Sequence, residues 1–169
     1  VNSVKHIYAT IHTALNQAVK EQLIVRNVAA SVKPPKKQEE KQLQTWTKEE
    51  VNRFLTYAED HKYFIIYYLA VNTGMRRGEL LGLKWSDIDF KKKRLEVKRQ
   101  VQRTNEGLIL KQPKSKAGYR VIPITDDVAK QLKKQKIRQS EKKLALGSNY
   151  NNDLDLICSN LVGNPIEPT

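Results

Sequence analysis

The sequence predicts an α+β chain, mainly helical, with one small three-stranded antiparallel sheet. Three observations carry that expectation. Apolar residues recur at helical spacing in several stretches before residue 85. Three short alternating segments, separated by turn residues, follow between residues 94 and 124. Helical periodicity then returns at 126–146.

The elements follow in order. Val4, Ile7, Tyr8, Ile11, Ala14, Leu15 and Ala18 fall at helical spacing within 4–23, and a short continuation covers 24–32. Residues 33–45 read as a linker, because Lys33-Pro34-Pro35-Lys36-Lys37-Gln38-Glu39-Glu40-Lys41 bears proline and charge and no apolar side chain. One helix and a fragment cannot close a core of their own. Residues 1–32 are therefore expected to be the tail of an upstream domain, and 46–169 the start of a second. Thr47-Lys48-Glu49-Glu50 is a capping box that opens a helix with Val51, Phe54, Leu55 and Ala58 on one face. The stretch around 63–72 is apolar on nearly every side and should be the most buried helix. A break at Gly74 leads into a short helix ending near Lys84. The expected strands are 94–98, 107–110 and 119–124, with Asn105-Glu106-Gly107 and Ala117-Gly118 between them. The basic helix from Asp126 carries Val128, Leu132, Ile137 and Leu144 at helical spacing. An apolar run at 154–158 and a turn at Val162-Gly163-Asn164-Pro165 complete the chain.

Composition narrows the function. Against 18 acidic residues stand 31 basic ones, a formal net charge of +13. Such an excess favours a polyanion, through phosphate neutralisation and counterion release. A membrane is disfavoured, since no apolar run approaches the roughly 20 residues of a spanning helix. Cys158 is the single cysteine, which excludes an internal disulfide and fits a reducing, cytoplasmic setting. It reads as a small buried hydrophobe between apolar neighbours. His6, His12 and His61 have no metal-ligand spacing, so no metal or cofactor is expected.

The most telling stretch is Thr73-Gly74-Met75-Arg76-Arg77-Gly78-Glu79-Leu80. It places two guanidinium groups at a break between helical segments, with a carboxylate on the next turn able to hold one of them. Arginine held rigidly near a tight turn is suited to gripping a phosphate with two parallel hydrogen bonds. By itself the pair would read equally well as a solvated turn. Downstream, residues 84–120 hold twelve basic side chains against four acids, a local excess of +8. Part of that excess is ordinary solvated surface. The remainder makes a basic sheet edge and hairpin suited to a DNA backbone, with Lys98, Arg99, Arg103, Lys116 and Arg120 as candidate contacts. Tyr119 adjoins the same hairpin, and Trp85 reads as a core anchor rather than a base-stacking residue.

Thr-Gly-Met-Arg-Arg-Gly-Glu-Leu, followed by Leu83-Lys84-Trp85-Ser86-Asp87-Ile88-Asp89 and by Pro113-Lys114-Ser115-Lys116 with Arg120-Val121-Ile122-Pro123-Ile124, resembles the phage integrase, or tyrosine recombinase, family. The resemblance covers about 45–169, the first part of the family's catalytic domain, and 1–32 resemble the last helices of its core-binding, SAM-like domain. It implies a site-specific recombinase of a phage or mobile element, acting on double-stranded DNA at attachment-type sites. Arg76 matches the family's first catalytic arginine. Glu79 matches an acidic position that supports the site. Lys114 matches the hairpin lysine, with Lys116 as a rival, and Arg77 is a candidate for DNA contact rather than catalysis. Such enzymes break a phosphodiester by tyrosine attack, leaving a 3′-phosphotyrosyl link and a free 5′-hydroxyl. A fixed arginine meets the charge that grows on the non-bridging oxygens, and a lysine of suitable pKa supplies the leaving oxygen's proton.

The chain also departs from the family. Past Arg76 it has no histidine, so the later His-x-x-Arg and the tyrosine nucleophile are missing. Tyr119 and Tyr150 precede where they belong. The chain is therefore expected to be an excerpt, inactive alone and monomeric, from a parent that is tetrameric on DNA. Two other readings compete. One is a non-catalytic DNA-binding module, either a degenerate relative or an excision regulator. The other is a helical RNA-binding protein.

Overall fold

The computed structural model describes residues 2–34, 44–113 and 118–168. It divides into two compact units, Val1–Thr45 and Trp46–Thr169. The expected linker at 33–45 falls mostly outside the described residues.

The first unit holds α1, Asn2–Lys20, and a 3-10 turn, Val28–Ser31. Asn27 joins them. Its side-chain oxygen caps the turn by accepting the Ala29 N–H at 2.9 Å. Its amide nitrogen donates back to the His12 carbonyl at 3.0 Å and to Asn16 at 2.7 Å. The Tyr8 hydroxyl donates to the Ala29 carbonyl at 3.1 Å, which seats the turn against α1. The continuation expected over 24–32 is thus one short turn held by side chains.

The second unit opens with α2, Lys48–Tyr57, on the expected capping box. The Glu50 N–H donates to the Thr47 hydroxyl at 3.2 Å, and the Glu50 carboxylate accepts the Thr47 N–H at 2.7 Å. Next come α3, Phe64–Thr73, and α4, Arg77–Leu81. Leu69, Met75, Leu80, Leu81 and Leu83 are buried in one core with Leu95, Val97, Val128, Leu132 and Ile157. Trp85 joins that core as expected, in a 3-10 turn, Trp85–Asp87, and its indole N–H donates to Gln139 at 2.8 Å.

The sheet differs from the expected one. Its strands are β1 (Ile88–Asp89), β2 (Arg94–Val97) and β5 (Arg120–Pro123), antiparallel in the order β1-β2-β5. The segment expected as the middle strand is β4, Gly107–Lys111, which leaves that sheet and pairs with β3, Gln100–Thr104, as a separate hairpin. Two facts hid this arrangement. β1 has only two residues, too few for a periodicity. In β3 only Val101 is apolar and buried, so Gln-Val-Gln-Arg-Thr shows no apolar alternation.

The last helix, α5, spans Asp126–Leu146 and is capped by Thr125. Ile137 and Leu144, expected on its core face, are 60% and 86% exposed. Val128, Leu132 and Gln139 carry that face instead. Gln139 is fully engaged there, with its amide nitrogen donating to the Leu156 and Ile157 carbonyls, each at 3.0 Å. Cys158 is buried beside Ile157, and burial pushes its thiol up to about 12.

Candidate active site

The arginine motif sits where α3 stops. The Thr73 hydroxyl donates back to the Leu69 carbonyl at 2.6 Å and accepts the Met75 N–H at 3.4 Å. Gly74 takes the left-handed conformation, φ 61°, and its N–H closes on the Ala70 carbonyl at 3.0 Å. Met75 then plugs into the core at 6% exposure. A threonine that ties the last turn, a glycine that reverses it and a methionine that anchors it together place Arg76 immediately before α4.

From there Glu79 organises the site. Its carboxylate is buried and receives four donors. The Arg76 N–H reaches Oε2 at 2.9 Å and Arg76 Nη1 reaches Oε1 at 3.2 Å. Arg120, on β5, donates Nη1 to Oε1 at 3.0 Å and Nη2 to Oε2 at 2.7 Å, a two-pronged pair. The Arg120 hydrogen bonds, aided by those from Arg76, outweigh burial and hold the Glu79 carboxyl at about 2. Glu79 in turn raises the pKa of Arg120. With the carboxylate charged, the three groups carry one net positive charge. Arg76 presents it, since its side chain is 79% exposed against 32% for Arg120.

Two glycines bring β3 close to α4. A Cβ on Gly78 would lie 2.9 Å from the Val101 carbonyl, and one on Gly82 would lie 3.0 Å from the Gln100 Cα. Gly78 on α4 and Gly82 at its C-terminal cap let the β3 backbone lie directly against the helix.

The other candidates are dispersed. Lys114 and Lys116 lie outside the described residues, between β4 and β5. Arg77 is exposed and donates to the Pro168 carbonyl at 3.2 Å. Arg103 pairs with Glu167. Lys98 pairs with Glu96 at 2.8 Å. Arg99 is half-buried and grips the buried Asp87 with both nitrogens, Nη2 at 3.2 Å, while Nη1 also faces the Gly82 carbonyl at 3.5 Å. Arg99 and Arg120, expected from charge as DNA contacts, each hold a buried acid: Arg120 ties β5 to Glu79 of α4, and Arg99 ties the β2–β3 connection to Asp87 of the 3-10 turn. An acid spaced between two separated basic residues was the available signal, but it names no partner. Asp87, which the sequence did not single out, also accepts the Lys84 N–H at 2.9 Å. Among the described residues no His, Cys, Asp and Glu cluster could hold a metal ion, and no helix is long and apolar enough to cross a membrane.

Comparison with known proteins places the chain in a family. The model of the phage integrase family matches residues 44–153. A tyrosine recombinase XerC-like protein of Caldanaerobacter subterraneus subsp. tengcongensis is 33% identical, over 98% of this chain and 46% of its own. The ICEBs1 integrase of Bacillus subtilis is 29% identical, over 89% of this chain and 41% of its own. The chain thus spans about half the length of the curated relatives it matches. Among solved structures, the Tn1549 transposon integrase in complex with a circular intermediate DNA superposes with a TM-score of 0.75 at 18% identity, over 98% of this chain and 53% of its own. A λ integrase tetramer bound to a Holliday junction gives 0.57 at 24% identity, over 96% and 42%. At these identities the likeness is one of fold. The family match and the 33% identical relative carry the assignment further: the chain belongs to the phage integrase family of tyrosine recombinases.

Proposed function

We propose that the chain is part of a site-specific DNA recombinase that cuts and rejoins duplex DNA through a 3′-phosphotyrosyl intermediate. The observation that supports this most strongly is the buried Glu79 holding Arg76 at the α3–α4 turn while leaving the Arg76 guanidinium open to solvent. In this reading Arg76 donates to the non-bridging oxygens of the scissile phosphate. It meets their growing charge without reorganising. The bond from the tyrosine oxygen to phosphorus forms as the bond to the 5′-oxygen breaks. Lys114, with Lys116 as its rival, gives that oxygen a proton. No metal or other cofactor is required. The nucleophilic tyrosine and the family's His-x-x-Arg come from elsewhere in the full-length protein, so the 169 residues alone are inactive.

Residues 1–32 are the end of the core-binding domain in this proposal, and the parent acts as a tetramer on attachment-type sites in the bacterial cytoplasm. The Tn1549 and λ integrases were both captured on DNA, which supports duplex DNA as the partner. Arg77, Lys98, Arg103 and Lys116 remain the candidates for its backbone. Arg99 and Arg120 act through the carboxylates they hold.

The test is a covalent-adduct assay with the full-length protein and a suicide duplex that carries the ends of its element. A denaturant-stable protein–DNA adduct that forms equally well in a metal chelator is the expected result. Salt-sensitive duplex binding with no adduct would replace the enzyme with a non-catalytic module.

A further inference from the structure

Arg120 holds more of Glu79 than Arg76 does. It meets both carboxylate oxygens, at 3.0 and 2.7 Å, whereas the Arg76 guanidinium reaches one, at 3.2 Å. A carboxylate offers one two-pronged seat to a guanidinium. Among the described residues Arg76, three residues away on the same turn, is the other group hydrogen-bonded to that carboxylate. We propose that Arg120 is a positioning residue of this site: by occupying both oxygens of Glu79 it stops Arg76 from closing onto them and leaves the Arg76 guanidinium for a phosphodiester of the DNA. This rests on the recombinase reading above.

The two arginines compete for one acid. Glu79 is 5% exposed, and a buried carboxylate without compensation is strongly unfavourable. With Arg120 present, two cations share one anion and a positive charge is left over. Without it Arg76 is, among the described residues, the one cation hydrogen-bonded to the acid, and its most stable arrangement is folded down on Glu79, neutralised and turned away from solvent. Place in the chain adds a second consequence. Arg120 begins β5 opposite Val97 of β2, directly after the loop that carries Lys114 and Lys116. Its grip on Glu79 therefore fixes one end of that loop to the helix that begins just after Arg76.

The experiment is single-turnover adduct formation by the full-length protein on the suicide duplex at saturating DNA, on variants verified as folded at the assay temperature. Arg120→Ala should slow the adduct by about tenfold to a hundredfold, with the Kd for DNA changed by no more than about threefold. Arg120→Lys should recover part of the rate. The decisive variant is Arg120→Ala combined with Glu79→Gln. A neutral amide does not capture Arg76, so the double variant should cleave faster than Arg120→Ala alone. A double variant no faster than the single one, or an Arg120→Ala rate equal to that of the unaltered protein, overturns the inference. Should Arg120→Ala fail to fold, Arg120→Lys with and without Glu79→Gln gives the same comparison. An unaltered protein that forms no adduct overturns the recombinase reading instead.

Discussion

Glu79 is where a single side chain carries both stability and the site. Its carboxyl is held at about 2, below an ordinary value near 4.5, because the charged form receives the hydrogen bonds of Arg120 and Arg76. A depressed carboxyl stabilises the fold fully above the unfolded value. That contribution is lost as pH falls from about 4.5 through about 2. Glu79→Gln should therefore melt below the unaltered protein at neutral pH, with the gap closing over that acid window. A gap that stayed constant with pH would mean the charged pairs contribute nothing. The acid's support of Arg76 was legible in the sequence from its three-residue spacing. Its second partner was not, because Arg120 lies 41 positions away and only the fold brings them together.

The elements show where periodicity informs and where it fails. The helices were legible from apolar spacing and the Thr47 cap, since those signals are local. The strands were not assigned to their partners, because pairing is a long-range choice and β1 and β3 carry almost no apolar pattern. The glycines of the motif divide the same way. Gly74 is needed for its backbone, as φ is 61° and nothing lies within 4 Å of a Cβ there. Gly74→Ala should cost about 1–2 kcal/mol from left-handed strain alone. Gly78 is needed for space. Helix propensity by itself would make Gly78→Ala stabilising by about 1 kcal/mol. The Val101 carbonyl 2.9 Å from the new methyl reverses the sign, and a loss of about 1–3 kcal/mol is expected in denaturant titration. A gain on Gly78→Ala would show that α4 and β3 are not in contact.

Over the whole molecule, charge counting overstated the free basic surface. At least six of the basic residues in the 84–120 window, Lys93, Arg94, Lys98, Arg99, Arg103 and Arg120, are ion-paired within the fold. Three of these pair with acids outside the window, Asp126, Glu167 and Glu79, which lowers the excess of +8 to +5. The 169 residues should accordingly bind duplex DNA weakly and with little sequence preference, and the affinity should fall as salt rises. Affinity that ignored salt, or a preference for RNA, would remove duplex DNA as the partner.

In the proposed mechanism Arg76 meets the scissile phosphate in the transition state. Its most direct test is Arg76→Ala in the full-length protein, measured as covalent adduct on the suicide duplex beside the Kd for the same DNA. Adduct formation should drop by about a hundredfold to a thousandfold, with Kd within about threefold because the interaction strengthens mainly as charge develops. Adduct formation near that of the unaltered protein would mean that Arg76 does not stabilise the transition state.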